Sequence, residues 1–251
     1  MVGCFGTTQN GKNKKNMISR KILENCLFLD VETATGYPDF ETLTLEDPRL
    51  SELWSRRAKY YRTVYEDMNN MDDGEIYKEK ATLEPEFSRV VCVSFGVLQE
   101  TGQTRMTSFY GEDEEDILNK TSKVFINALA KNMKLAGHNI KGFDIPCLGK
   151  RMIYKISSSV LPQNLVIWDK KPWEIPYLDT SEVFSFGSWS HQKYLSLDLL
   201  ACSLGIPSPK DDMDGSKVSE AYWIDKDFEK IKEYCERDVQ TVIDVLDKVA
   251  I

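Results

Sequence analysis

An α/β fold is predicted by three features of this 251-residue sequence: short apolar runs of strand length, apolar residues at helical spacing between them, and a long amphipathic stretch near the C-terminal end. Residues 26–31 (CLFLDV) are nearly all apolar, as a strand covered on both faces requires. A long insertion, about residues 41–86, precedes the second strand; in it Leu50, Leu53, Trp54, Ala58, Tyr61, Tyr65 and Met68 mark one face of a helix. Residues 89–98 (RVVCVSFGVL) form the second strand, Thr101-Gly102 a hairpin turn, and residues 104–110 a weaker third strand. From Glu112 to about Met133, Ile117, Val124, Ala128 and Leu129 recur at helical spacing. Residues 135–139 read as a strand, 145–154 as a helix, 162–176 as irregular, and 196–204 as a short helix stopped by Gly205. The last helix runs over about residues 228–249, capped by Asp225 or Asp227, with Phe228, Ile231, Cys235, Val242, Leu246 and Val249 as its apolar stripe. The pattern implies one domain over residues 22–251 with a helical insertion between its first two strands.

Composition narrows the class. With 32 Lys and Arg against 40 Asp and Glu, a net charge of −8 and 41% hydrophobic residues, the chain is not wholly disordered. No apolar run approaches the ~18 residues of a membrane span. No secretory signal is expected in the first twenty residues, and Val2 stands where myristoylation needs glycine. Cys4, Cys26, Cys92, Cys147, Cys202 and Cys235 form no C-x-x-C and read as buried thiols of a cytoplasmic protein. Residues 1–23 hold Lys12, Lys14, Lys15, Arg20 and Lys21 and no acid. Residues 1–21 are therefore expected to be a flexible basic arm, either solubilising or attracted to nucleic acid.

Two motifs are deceptive. Gly6 to Lys12 spells G-x-x-x-x-G-K, but Asn13 replaces the hydroxyl residue of a phosphate loop and no strand precedes it. Asp212, Asp214 and Gly215 suggest a calcium loop, yet the frame puts Lys210 first and Ala221 last, where acids are required. The acids of residues 112–116 suit a helix N-terminus.

Three segments carry chemistry. In Asp30-Val31-Glu32, two acids share one face at the end of a buried strand. In residues 137–146 (GHNIKGFDIP), Asp144 is placed to cap the helix that Pro146 helps to start. In residues 234–238 (YCERD), Tyr234 and Asp238 stack on a flank of the last helix. Taken singly, each reads as structural: a strand-end acid, a cap, a surface carboxylate beside a half-buried ring.

In this order D-x-E, N-x-x-x-F-D and Y-x-x-x-D resemble the DEDD superfamily of 3′–5′ exonucleases, and most closely the proofreading domain of family B DNA polymerases. Residues 171–187 (KPWEIPYLDTSEVFSFG) and 196–223 (SLDLLACSLGIPSPKDDMDGSKVSEAYW) extend the likeness to stand-alone bacterial and phage relatives of that domain. Tyr234 stands four residues before Asp238, and position 233 is Glu, which puts the chain in the tyrosine (DEDDy) branch. The resemblance implies a ribonuclease-H-like fold, a mixed five-stranded sheet flanked by helices. It implies Asp30, Glu32, Asp144 and Asp238 as ligands of two divalent cations, Mg²⁺ or Mn²⁺, with Tyr234 orienting the attacking water. It implies release of nucleoside 5′-monophosphates from the 3′ end of single-stranded DNA or frayed ends, with Thr33, Asn139 and Phe143 gripping the terminal nucleotide. A DNA polymerase or another replication or repair protein is the implied partner. RNA as the substrate, and a catalytically inactive nucleic-acid-binding domain, remain the competing readings.

Physics gives the acids a reason to need cations. Carboxylates ~4 Å apart repel by about 4 kcal/mol per pair at an effective dielectric near 20. Such a cluster persists only if protons or hard cations neutralise it. Arg56, Arg57, Lys59 and Arg62, interleaved with Tyr60 and Tyr61, read either as a track for a single strand or as the solvated face of a structural helix.

Overall fold

The computed structural model describes residues 18–171, 174–186, 195–207 and 213–250. A short helix, Arg20–Glu24 (α1), leads into the strand Cys26–Thr35 (β1), which lies at the centre of the sheet. Along β1 only Asp30 is part-exposed. The helices Phe40–Glu46 (α2), Pro48–Val64 (α3) and Asp73–Lys80 (α4) form the insertion. Ser88–Leu98 (β2) and Thr104–Tyr110 (β3) follow, then Glu114–Ala130 (α5), Lys134–Gly137 (β4), Asp144–Lys155 (α6), Leu178–Asp179 (β5), Thr180–Val183 (α7), Leu197–Ser203 (α8), Val218–Glu220 (α9) and Phe228–Val249 (α10). The sheet order is β3-β2-β1-β4-β5. β1 pairs antiparallel with β2 and parallel with β4, so the five-stranded sheet is mixed. Helices cover both faces, as a ribonuclease-H-like fold requires.

Two cores flank the sheet. Leu27, Leu29 and Val31 pack with Ile117, Leu118, Phe125, Ile145 and Leu148 of α5 and α6. Cys26 and Phe28 point the other way, against Val239, Val242, Ile243 and Leu246 of α10. The insertion has its own small core, where Trp54 meets Tyr77 edge-on and donates from Nε1 to the Asp73 carbonyl at 2.9 Å. Arg151 of α6 and Glu114 of α5 form a buried pair, Nη2 to Oε2 2.6 Å, and Glu114 Oε1 also accepts from Val90 N at 2.8 Å. This network ties α5, α6 and β2 together where solvent is excluded.

Several sequence expectations are corrected. β1 does not stop at Val31 but runs on to Thr35, because its ladder with β2 continues past a bulge between Glu32 and Thr33. Asp144 does not cap α6. It is the first residue of the helix, and Phe143 occupies the cap position without a side-chain bond. The acids of residues 112–116 do stand at a helix N-terminus, with Asp113 as the cap, and Glu114 is in addition the buried partner of Arg151. Leu53, Tyr65 and Leu129 are exposed, and so is Cys202. The last helix is as expected, with Asp227 as its cap, accepting from Lys230 N at 3.0 Å. Of the expected basic arm, Arg20 and Lys21 open α1, and residues 1–17, with the phosphate-loop look-alike, lie outside the described residues. So do residues 208–212 of the calcium-loop look-alike, while Asp214 caps a single turn through Ser216 N at 2.9 Å. No helix among the described residues is long and apolar enough to cross a membrane.

Candidate active site

Strand periodicity places the first two acids. Side chains two apart share a face, so Asp30 and Glu32 continue the α10-facing row that Cys26 and Phe28 begin. The apolar layer ends there. Opposite it α10 presents Cys235, whose Sγ donates to the Asp30 carbonyl at 3.4 Å. Ligand atoms of Asp30, Glu32 and Cys235 all lie within 4.8 Å of one another. α10 reaches this depth because β2 carries Gly96, where a Cβ would stand 2.7 Å from Val239 Cγ1 and 3.1 Å from Ile243 Cδ1.

The third acid comes from the loop after β4. Gly137 passes so close to β1 that a Cβ would lie 2.8 Å from the Leu29 carbonyl oxygen. Beyond it Asn139 adopts a left-handed backbone, φ 55°. Asp179, buried at the end of β5, fixes the loop, accepting from Asn139 N at 2.8 Å and Lys141 N at 3.2 Å. It also takes the Ser181 N–H at 3.0 Å, so one carboxylate ties the loop to the start of α7. α6 then begins with Asp144, whose carboxylate accepts from the backbone N–H groups of Asp144 and Val31. Sequence reasoning assigned Asp179 no role. The one signal, an acid directly before Thr180-Ser181, is that of any helix cap.

Tyr234 and Asp238 complete the cluster from α10, one turn apart. Tyr234 is buried, and its hydroxyl is hydrogen-bonded to the Asp238 side chain.

The electrostatics bind these groups into one unit. Burial, then the charge of Asp144, pushes Asp30 up to about 8. Burial, then Asp30 and Asp238, holds Glu32 well above the usual carboxylate range. Asp144 is likewise pushed up to about 8, by burial first and then by Asp179 and Asp238. Tyr234 is raised by burial and by Glu32, Asp238 and Asp30, so its hydroxyl keeps its proton. Each of the four acids thus raises the pKa of at least one other member of the sequence constellation. Asp30 Oδ2 is buried and takes no hydrogen bond among the described residues. An oxygen donor left so, in a crowded carboxylate set, fits a hard cation.

The other sequence candidates are placed less centrally. Thr33 is buried, and its hydroxyl donates to the Thr82 carbonyl at 2.8 Å, joining β1 to the insertion. The Asn139 side chain folds over Gly142, and Phe143 is half-buried directly before Asp144. His138 Nδ1 lies 2.7 Å from Thr180 Oγ1, and burial lowers its pKa. Of the insertion's cations, Arg56 pairs with Glu52, Arg57 with Glu84 and Arg62 with Asp73.

Residues 81–245 match the model of a family described as a predicted 3′–5′ exonuclease related to the exonuclease domain of PolB. No curated protein matches the chain. Among solved structures it is similar to the family B DNA polymerase from the hyperthermophilic archaeon Pyrobaculum calidifontis, at 15% identity and a TM-score of 0.49. That alignment covers 89% of this chain and 24% of the polymerase chain, so the chain spans about a quarter of that protein's length.

Proposed function

The chain belongs to the family of predicted 3′–5′ exonucleases related to the PolB exonuclease domain, and from that premise we propose that it removes nucleotides from the 3′ end of single-stranded DNA as a tyrosine-branch (DEDDy) enzyme. The observation that carries the reading is the electrostatic linkage of Asp30, Glu32, Asp144, Asp238 and Tyr234, with one buried oxygen of Asp30 taking no hydrogen bond among the described residues. Asp30, Glu32, Asp144 and Asp238 hold two divalent cations, Mg²⁺ or Mn²⁺. When bound, the pair lowers the pKa of a water and stabilises the leaving 3′-oxygen of an in-line displacement.

The chain's own groups do the rest. Tyr234, kept protonated by burial and by its acid neighbours, orients the attacking water through its hydroxyl oxygen and does not remove the water's proton. Asp179 holds the loop so that Asp144 faces β1. Thr33, Asn139 and Phe143 border the terminal nucleotide, with the Phe143 ring as the stacking surface and Thr33 fixing β1 against the insertion. Residues 22–251 act as one catalytic domain, and the basic arm of residues 1–21 adds long-range attraction to the polyanion.

The test is a digestion time course of 3′-labelled and 5′-labelled DNA and RNA oligomers with Mg²⁺, Mn²⁺ or EDTA. The reading expects 5′-labelled DNA to shorten one nucleotide at a time, immediate release of the 3′ label as a 5′-monophosphate, and no reaction in EDTA. Preferential shortening of RNA would reassign the substrate. No shortening of either polymer with either cation would leave a binding domain.

A further inference from the structure

The insertion carries an aromatic surface that the cation-holding acids do not use. Arg57 and Tyr61 stand one turn apart on α3, Tyr65 follows one turn on at its C-terminal cap, and Tyr60 lies beside Tyr61, so the three rings form a contiguous row. The Tyr60 and Tyr61 ring centroids are 6.1 Å apart, and those of Tyr61 and Tyr65 are 5.9 Å apart. Tyr61 is buried, but Tyr60 is 50% and Tyr65 44% exposed, which leaves part of each ring in solvent. Cations stand over these rings. The Arg57 guanidinium is 5.0 Å from the centroid of Tyr60 and 5.1 Å from that of Tyr61, and Lys80 Nζ is 5.3 Å from that of Tyr65.

The row is joined to the acid strand. Glu84 accepts from Arg57 Nε at 2.7 Å and from the Tyr61 hydroxyl, which orients the guanidinium. The single turn Ala81–Leu83 lies directly before Glu84, and within it the Thr82 carbonyl accepts the hydroxyl of Thr33, the neighbour of Glu32. Leu83, between Thr82 and Glu84, is 55% exposed.

We infer that this row is a stacking rail for single-stranded nucleic acid, holding bases upstream of the 3′-terminal nucleotide while the end lies among the acids. The inference rests on the exonuclease reading for its polarity. Half-exposed tyrosine faces accept any base, and cations held beside them meet the backbone phosphates. The pairing of Arg57 with Glu84 fixes the orientation of the planar guanidinium beside the rings, at the cost of some net charge.

The experiment is fluorescence anisotropy of a 5′-labelled fifteen-nucleotide oligothymidylate and of a dinucleotide, in EDTA so that nothing is cleaved. It uses the full chain and the variants Tyr60→Ala, Tyr60→Ala/Tyr65→Ala and Tyr60→Phe/Tyr65→Phe. The double Ala variant should bind the long oligomer about 10- to 100-fold more weakly, with a smaller loss for Tyr60→Ala alone. The Phe variant should keep the affinity, and the dinucleotide should not respond. With Mg²⁺, KM for the long oligomer should rise while kcat holds. A folded Tyr60→Ala protein that binds the long oligomer as tightly as the parent, or a parent that does not bind it, overturns the rail. Binding that depends on the rings in a protein that never cleaves would overturn the exonuclease reading and leave the rail standing.

Discussion

Replacing Asp30 or Asp144 by Asn is expected to abolish hydrolysis and, in the metal-free protein, to raise the melting temperature at pH 8. Each change removes one anionic ligand and keeps the shape. If the acids hold the cations, the loss is of the Lewis-acid contribution, several kcal/mol, or at least about a 10³-fold fall in kcat. The stability gain follows from the same crowding. Asp30 and Asp144 are both pushed up to about 8 from the ordinary aspartate value of 3.8, by burial first and then by neighbouring acids. A group whose folded pKa is raised contributes stability that is fully present below its unfolded pKa and is lost as pH rises through the folded one. Metal-free parent protein should therefore melt lower at pH 8 than at about pH 5, and each Asn variant should lose part of that slope. Thermal melts in EDTA across this window measure it. A double variant that cleaves at the parent's rate, or Asn variants whose melting falls at pH 8, would refute the assignment.

Asp238→Ala and Tyr234→Phe should separate by at least an order of magnitude. They sit one turn apart on α10 and share a hydrogen bond, so a merely structural pair would suffer alike. In the proposed mechanism they do not. Asp238→Ala removes a cation ligand and should cost about 10³-fold or more. Tyr234→Phe keeps the buried ring and loses only the water-orienting hydroxyl, with a loss nearer ~10²-fold, the scale of a misplaced reactant. Single-turnover rates on one labelled oligonucleotide decide it, and equal losses would remove the water-positioning role.

Much of the frame is legible in the sequence because its periodicities are long or strict. α10 can be read from Asp227 to Val249 because about six turns of apolar stripe outweigh any one residue. The shared face of Asp30 and Glu32 needs only the period of a strand. What escapes is decided by partners distant in the chain. Glu114 is legible as a helix-start acid, but its burial against Arg151, 37 residues on, is not. β5 holds two residues, too few for any period, yet its Asp179 fixes the loop that delivers Asp144. β1 outruns its apolar segment because backbone pairing with β2, not side-chain hydrophobicity, carries it past the acids to Thr35. The tie between Thr33 and Thr82 spans the whole insertion, and neither residue signals it.

The proposed hydrolysis depends on these dispersed acids caging divalent cations. Calorimetric titration of the EDTA-stripped protein with Mn²⁺ tests that most directly. The account predicts two equivalents bound by the parent chain, with fewer equivalents or much weaker binding in Asp30→Asn. Absence of Mn²⁺ uptake by the folded parent, or uptake unchanged in Asp30→Asn, would contradict it.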